Sequence, residues 1–237
     1  MNLLKLLVQH LWLPFLLFSP STVSQKIDKY FDASGGVSLW RSLENIVVEA
    51  ETKHYEKNYG AGDSVSVKTV QSREIITREG LFRGEYKSDG QMHKTIFDGS
   101  NLKDIGPTGF VYEHSDAVLD QYFGRVFHLG ETWIAIKSNI VKFVDIVIEG
   151  NNLYEVYDIE FRKMERKYYI SKTTGLLYKV SMFGGRTMTV FGDYRNVAGY
   201  VIPFRKTGYI NGRIELVKVI RRVQINQALD SSIFSQR

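Results

Sequence analysis

The chain of 237 residues contains no cysteine, only 4 prolines, and no long uninterrupted apolar run beyond its first two dozen residues. The missing cysteine excludes disulfides, thiolate zinc sites, iron–sulfur clusters, cysteine nucleophiles and the lipidated cysteine of a bacterial lipoprotein. Scarce proline, with 43% hydrophobic and 24% charged residues, excludes a proline-rich linker, a disordered tail or a collagen-like rod. A membrane-spanning helix needs about 20 continuous apolar residues, and no stretch after the first 24 approaches that. Charge of one sign is also in short supply. The net formal charge is +5, without an Arg/Lys stripe, so nucleic acid is not an indicated partner. A surplus that small permits weak attraction to an anionic membrane surface.

The leader is the first positive signal. Lys5 precedes the apolar run Leu11–Phe18, and short residues follow to Thr22-Val23-Ser24. This three-part layout predicts a secretory signal peptide over 1–24, cleaved between Ser24 and Gln25. Lys5, Gln9, His10 and Pro14 interrupt the run and argue against an uncleaved anchor. The exported remainder, 25–237, reads as a single domain, with no internal repeat or linker.

Two helical segments are predicted in that domain. One covers about Lys26 to Leu43 and is broken at Ser34-Gly35-Gly36, with Ile27, Tyr30 and Phe31 on one face. The other runs over Ser115–Leu129, where Val118, Leu119, Tyr122, Phe123, Val126 and Phe127 follow the 3.6-residue period. Nearly everything else alternates with period two. Ile46, Val48 and Ala50 oppose Glu49 and Glu51; Val65 and Val67 oppose Ser66 and Lys68; Val144, Ile146 and Ile148 oppose Asp145 and Glu149. Asn211-Gly212 is the strongest hairpin signal, because both positions tolerate the positive φ of a type I′ turn. About ten or eleven such strands at hairpin spacing describe a curved antiparallel sheet or open barrel.

Such a sheet must cover its apolar face, and two helical segments are the only cover. A hollow left between them would be lined by Ile, Val, Leu, Phe and Tyr and would suit an acyl chain, at about 0.8 kcal/mol per buried methylene. Complete filling of the concavity by helices is the alternative, and periodicity does not separate the two. The lining candidates are Ile46, Val48, Val65, Val67, Val118, Tyr122, Phe123, Ile146 and Ile148. Catalytic chemistry finds little support. His54, His93, His114 and His128 stand at no metal-pair spacing, and neither HExxH nor GxSxG occurs. A non-enzyme without cofactor or metal is expected.

Several short pieces then resemble the LolA-type periplasmic lipoprotein carriers. Tyr30-Phe31-Asp32-Ala33-Ser34-Gly35-Gly36 is similar to that family's helix, Gly-Gly, short helix opening. Phe97-Asp98-Gly99 before Leu102 resembles its Asp-Gly step between strands. Tyr169-Ile170-Ser171-Lys172-Thr173-Thr174-Gly175, Phe191-Gly192-Asp193-Tyr194-Arg195 and Gly199-Tyr200-Val201-Ile202-Pro203-Phe204 match in the last third, with Ile225-Asn226 and Asp230-Ser231-Ser232-Ile233-Phe234 closing the chain. Ser171 stands where an acid is commoner in the family. The resemblance implies an incomplete antiparallel β-barrel, LolA/LolB-like, with covering helices. It implies a periplasmic carrier of lipoprotein or other acyl chains bound for the outer membrane, with transfer partners at the inner and outer membranes. A buried arginine latches the lid in such carriers, and Arg73 and Arg83 are the two candidates in the matching region. Turn chemistry accounts equally well for every matched piece. Two other readings stay open: an outer-membrane β-barrel, favoured by alternation and abundant Tyr and Phe, and a lipid-free protein-interaction module of the same fold.

Overall fold

A computed structural model of the chain describes residues 24–57, 65–114, 140–161 and 164–235. The leader lies outside these apart from Ser24, and so does the helix expected at Ser115–Leu129 with Val118, Tyr122 and Phe123. Among the described residues are two α-helices, α1 (Ser24–Ala33) and α2 (Val37–Ser42), and thirteen strands. The first six strands are β1 (Asn45–Lys57), β2 (Val65–Thr77), β3 (Phe82–Ser88), β4 (Gln91–Phe97), β5 (Leu102–Ile105) and β6 (Val111–Glu113). The others are β7 (Ile140–Glu149), β8 (Asn152–Phe161), β9 (Met164–Ser171), β10 (Leu177–Met182), β11 (Thr187–Val197), β12 (Tyr200–Ile210) and β13 (Arg213–Ile225).

All thirteen join one antiparallel sheet in the order β6-β5-β4-β3-β2-β1-β13-β12-β11-β10-β9-β8-β7. The count exceeds the ten or eleven expected, because β5 and β6 are short strands around the Gly106–Gly109 turn and carry little alternation of their own. The first and last of these strands, β1 and β13, pair at the centre of the sheet. Asn45 and Asn226 fasten that junction: Asn226 Oδ1 accepts from the Glu44 amide at 2.8 Å, and Asn45 exchanges two hydrogen bonds with the Gln227 backbone.

The sheet is rolled, and its burial requires it. Leu102 on β5 and Ile159 on β8 are both fully buried in one cluster with Trp40, Leu43 and Val48. Ten strand steps separate β5 from β8, about 48 Å if the sheet were flat. Helix α1 reaches only about 15 Å. Two short helices cannot dry both positions unless the arms of the sheet curl over them. Bulges at Glu49/Ala50, Phe143/Asp145, Leu177/Lys179 and Gly208/Tyr209 supply the bending. No pairing joins β6 to β7 among the described residues, so the barrel is incomplete.

The helices sit where the sequence pieces said a break would be. Gly35 and Gly36 have φ of +116° and +94°, and the chain turns there from α1 into α2. The Ser34 carbonyl accepts from the Val201 amide and the Trp40 indole, each at 3.0 Å, and the Tyr200 hydroxyl donates to the Leu39 carbonyl at 2.9 Å. Trp40 meets Tyr200 edge-on at 5.1 Å. On the other flank, Lys29 Nζ donates to the Lys172 carbonyl at 3.0 Å, and Gly175 lies so close to α1 that a Cβ there would stand 2.8 Å from that of Ala33. Three of the separate pieces that carry the LolA resemblance therefore converge on one task, seating α1 and α2 against the strand ends.

The opposite face carries a second, smaller cluster. Val47 and Ile75 are covered by Phe234, with Leu229 and Ile233 beside it, from the segment that follows β13. Asp230 caps the 3₁₀ turn Ser231–Phe234 by accepting from the Ser232 amide at 2.9 Å. Replacing Phe234 with alanine is expected to cost about 3 kcal/mol, since a buried aromatic is lost from a small cluster. Urea unfolding with an unchanged m-value checks it.

Candidate functional site

The site suggested by the fold is the inner face, the one covered by α1 and α2. Register assigns each strand's residues to it. Ile46 pairs with Ile76 and Ile225, Ile76 with Phe82, Phe82 with Phe97, and Phe97 with Leu102. On the other arm, Tyr168 links Val180 to Tyr157, and Tyr157 pairs with Phe143. These side chains form a nearly continuous apolar layer at the helix-covered end.

The lining candidates fall in three places. Ile46 and Val48 are fully buried in that layer. Val65 and Val67 pair with Lys57 and Tyr55, so they belong to the outer face, and both are exposed. Ile146 and Ile148 share the inner face with Glu155 and Leu153, and they are 43% and 72% exposed. The bulge between Phe143 and Asp145 places them there: one extra residue, Val144, exchanges the faces of everything after it. Arg73 and Arg83 both take the outer face, opposite Glu49 and Ile75. Arg73 is exposed. Arg83 is buried, bonds Glu85 at 2.6 Å, and donates to the Ile233 carbonyl at 2.8 Å, which ties the C-terminal segment to β3.

The inner face also holds cations. Lys218, Lys206 and Arg166 are each almost completely buried. Lys218 and Lys206 are direct partners across β13 and β12. Lys218 Nζ donates to Glu74 Oε1 at 2.5 Å, reaching past the small side chains of Ala50 and Ser72, whose register lies between them. Burial pushes the Lys218 ammonium below the ordinary lysine range, and Glu74 only partly restores it. Lys206 Nζ stands 4.9 Å from the centre of the Phe191 ring. Sequence offered one signal for Lys218, its place two residues from Ile220 and Leu216 on the same parity.

Nearer the β6 margin, Thr95 donates to Asp104 Oδ1 at 2.5 Å, and His114 Nε2 bonds Asp104 Oδ2 at 2.6 Å. These bonds brace β4, β5 and the residue after β6. Thr95 reaches Asp104 rather than the imidazole, so the order needed to activate a hydroxyl nucleophile is not formed by these three. Among the described residues no three His, Asp or Glu side chains gather as metal ligands.

The seam between β6 and β7 is the most telling part. Tyr112 shares the inner parity on β6, through Asp104 and Thr95, and is more than half exposed. Ile146, Ile148 and Leu153 do the same on the β7–β8 arm. The apolar inner face thus runs out into water at both margins of the unclosed sheet.

No protein-family model matches the sequence, and no curated protein sequence matches it. Solved structures do match the fold. A DUF1329 family protein from Desulfovibrio piger aligns over 90% of this chain and 96% of its own, with a TM-score of 0.60 and 11% identity. A LolA superfamily protein from Nitrosomonas europaea aligns over 91% and 99%, at 0.60 and 11%. An outer membrane lipoprotein-sorting protein domain from Vibrio parahaemolyticus aligns over 88% and 97%, at 0.56 and 9%. The fold is therefore an incomplete barrel like that of these structures, aligned nearly end to end in both directions.

Proposed function

We propose that this chain, built on the LolA-type incomplete barrel, is a periplasmic carrier without catalytic activity, exported by the leader at 1–24. It shields acyl chains, those of a lipoprotein or of another lipid, on the apolar inner face of its open sheet for delivery to the outer membrane. The observation that supports this most is the seam. Apolar side chains of inner parity stand in water at Tyr112 on one margin and at Ile146, Ile148 and Leu153 on the other. A folded core gains nothing from leaving isoleucine 72% exposed, whereas an alkyl chain laid along the seam would bury it. Donor and acceptor sites at the two membranes complete the proposed cycle, since a carrier must be loaded and emptied.

Delipidated protein titrated with a fluorescent fatty-acyl probe tests this. The wild type is expected to take up the probe with saturation. The double variant Ile146→Asp, Ile148→Asp is expected to bind at least about tenfold more weakly, because two charged groups would be desolvated at the seam. Both positions are exposed, so folding is preserved. A wild type that takes up no probe overturns the carrier, as does a variant that binds as tightly as the wild type.

A further inference from the structure

The outer face of the central strands carries more positive charge than it balances. On β3, β2, β1 and β13 the outer-parity cations are Arg83, Lys87, Arg73, Lys53 and Arg222. The bulge at Glu49/Ala50 adds Arg221, which bonds Glu51 at 3.4 Å on the same face. Glu49, Glu51 and Glu85 are the acids of that parity on these four strands, so six cations face three carboxylates. At the borders Arg195, Arg205 and Arg213 offset Asp193, Glu215 and Asp230, and the excess is not cancelled there. The flanking strands match their charges instead: Lys103 pairs with Glu113, Lys167 with Asp158 and Lys179 with Glu149.

Two of the three acids are already engaged, Glu85 by Arg83 at 2.6 Å and Glu51 by Arg221. Arg73 and Arg222 flank Glu49 in register, and Lys53 and Lys87 stand exposed further along β1 and β3. Among the described residues, Arg73, Arg222, Lys53 and Lys87 form no ion pair. Cations held together in this way repel one another, and an approaching anion relieves them. The arginine fork takes a carboxylate through two parallel hydrogen bonds. The face is convex, because the sheet rolls toward the helices. None of the exposed large apolar residues lies between Thr69 and Ile75 or on the rows paired with them. A flat bilayer would touch such a face along a line and find no side chain to insert. A flexible acidic chain can follow the curve and reach all four cations. β1 and β13 hold the centre of the strand order, so this face lies opposite the unclosed seam and docking here leaves the seam free.

We infer that the outer face of β3, β2, β1 and β13 docks an acidic polypeptide segment of a partner protein, its carboxylates meeting Arg73, Arg222, Lys53 and Lys87. This goes beyond the carrier reading and concerns the opposite side of the barrel, so the two fail separately. Binding to immobilised poly-L-glutamate is the assay, with flotation on phosphatidylglycerol vesicles at the same salt beside it. The wild type is expected to bind the polymer, to release it as salt is raised, and to float little with the vesicles. The double variant Arg73→Glu, Arg222→Glu is expected to bind the polymer at least about tenfold more weakly. Arg186→Glu with Arg213→Glu makes the same charge change at exposed turn positions off this face and is expected to bind as the wild type does. Lys53→Ser with Lys87→Ser, at exposed positions, repeats the test if the arginine variant is unstable, with an expected loss of about fivefold. A wild type that ignores the polymer overturns the inference. So do face variants that bind as the wild type does, a control pair that loses as much as the face pair, and vesicles that bind the wild type more tightly than the polymer, which would give the face to a bilayer. Acyl-probe uptake by the Arg73→Glu, Arg222→Glu variant is expected to match the wild type, and polymer docking without any probe uptake would sink the carrier while leaving this inference standing.

Discussion

Gly35→Ala is expected to remove about 4 kcal/mol or more of stability and to release α1 and α2 from the strand ends. The physical conflict is twofold. Gly35 has φ +116°, a backbone conformation that alanine rarely adopts, and a Cβ there would lie 2.4 Å from the Gly199 carbonyl oxygen. That oxygen is backbone, held in the turn between β11 and β12, and it cannot swing aside as a side chain would. The Ser34 carbonyl next to it accepts from both Val201 and Trp40, so a shift of Gly35 breaks the seat of both helices together. Gly36→Ala provides the control. Its φ is +94° but nothing lies within 4 Å, so only backbone strain remains, about 1–3 kcal/mol. Urea unfolding orders the two variants, and amide exchange at Val201 reports the unseating directly. Equal losses in the two variants would show that the close approach to Gly199 is not what the position requires.

The second large effect is expected at the buried ion pair. Glu74→Gln leaves Lys218 buried without its carboxylate and is expected to cost about 3–5 kcal/mol, and Lys218→Met, which takes the ammonium away from the buried Glu74, a similar amount. Combining Lys218→Met with Glu74→Leu is expected to recover most of that loss, because the desolvation of both charges disappears with them. The pH dependence has a fixed sign. Burial lowers the folded-state affinity of Lys218 for its proton, so between that lowered value and the ordinary lysine value the unfolded chain binds more protons. Stability contributed by this group therefore rises as pH is raised through that window. Removing Glu74, which draws the proton back, extends the window downward, so Glu74→Gln is expected to gain more from alkaline pH than the wild type does. A flat difference between the two from neutral to alkaline pH would refute the assignment of a charged Lys218.

How much of this was legible beforehand depended on range along the chain. The break at Ser34-Gly35-Gly36 was readable, because paired glycines past an amphipathic turn stop a helix locally. The Asn211-Gly212 hairpin was too, and both residues do take positive φ, +50° and +77°. The strands β5 and β6 were not, since four and three residues around Gly106-Pro107 carry no period. The face that each lining candidate takes was legible only in part. Ile46 and Val48 follow an apolar alternation that the helices then covered, but Val65 and Val67 show the same alternation and point the other way, because the β1–β2 register pairs them with Tyr55 and Lys57.

Local chemistry, then, settled the kinds of element, the turns between them and the number of faces each strand presents. Alternation states that a strand has an apolar and a polar side; it does not state which side the rest of the molecule will cover. That choice came from partners far away in sequence. β13 pairs with β1, so Lys218 is carried inside along with Thr52 and Ile220, although the run Val217-Lys218-Val219 reads with lysine toward water. A single bulged residue, Val144, likewise turned Ile146 and Ile148 onto the inner face at the seam. A period of two leaves parity undetermined, and only long-range pairing and bulges remove that degeneracy.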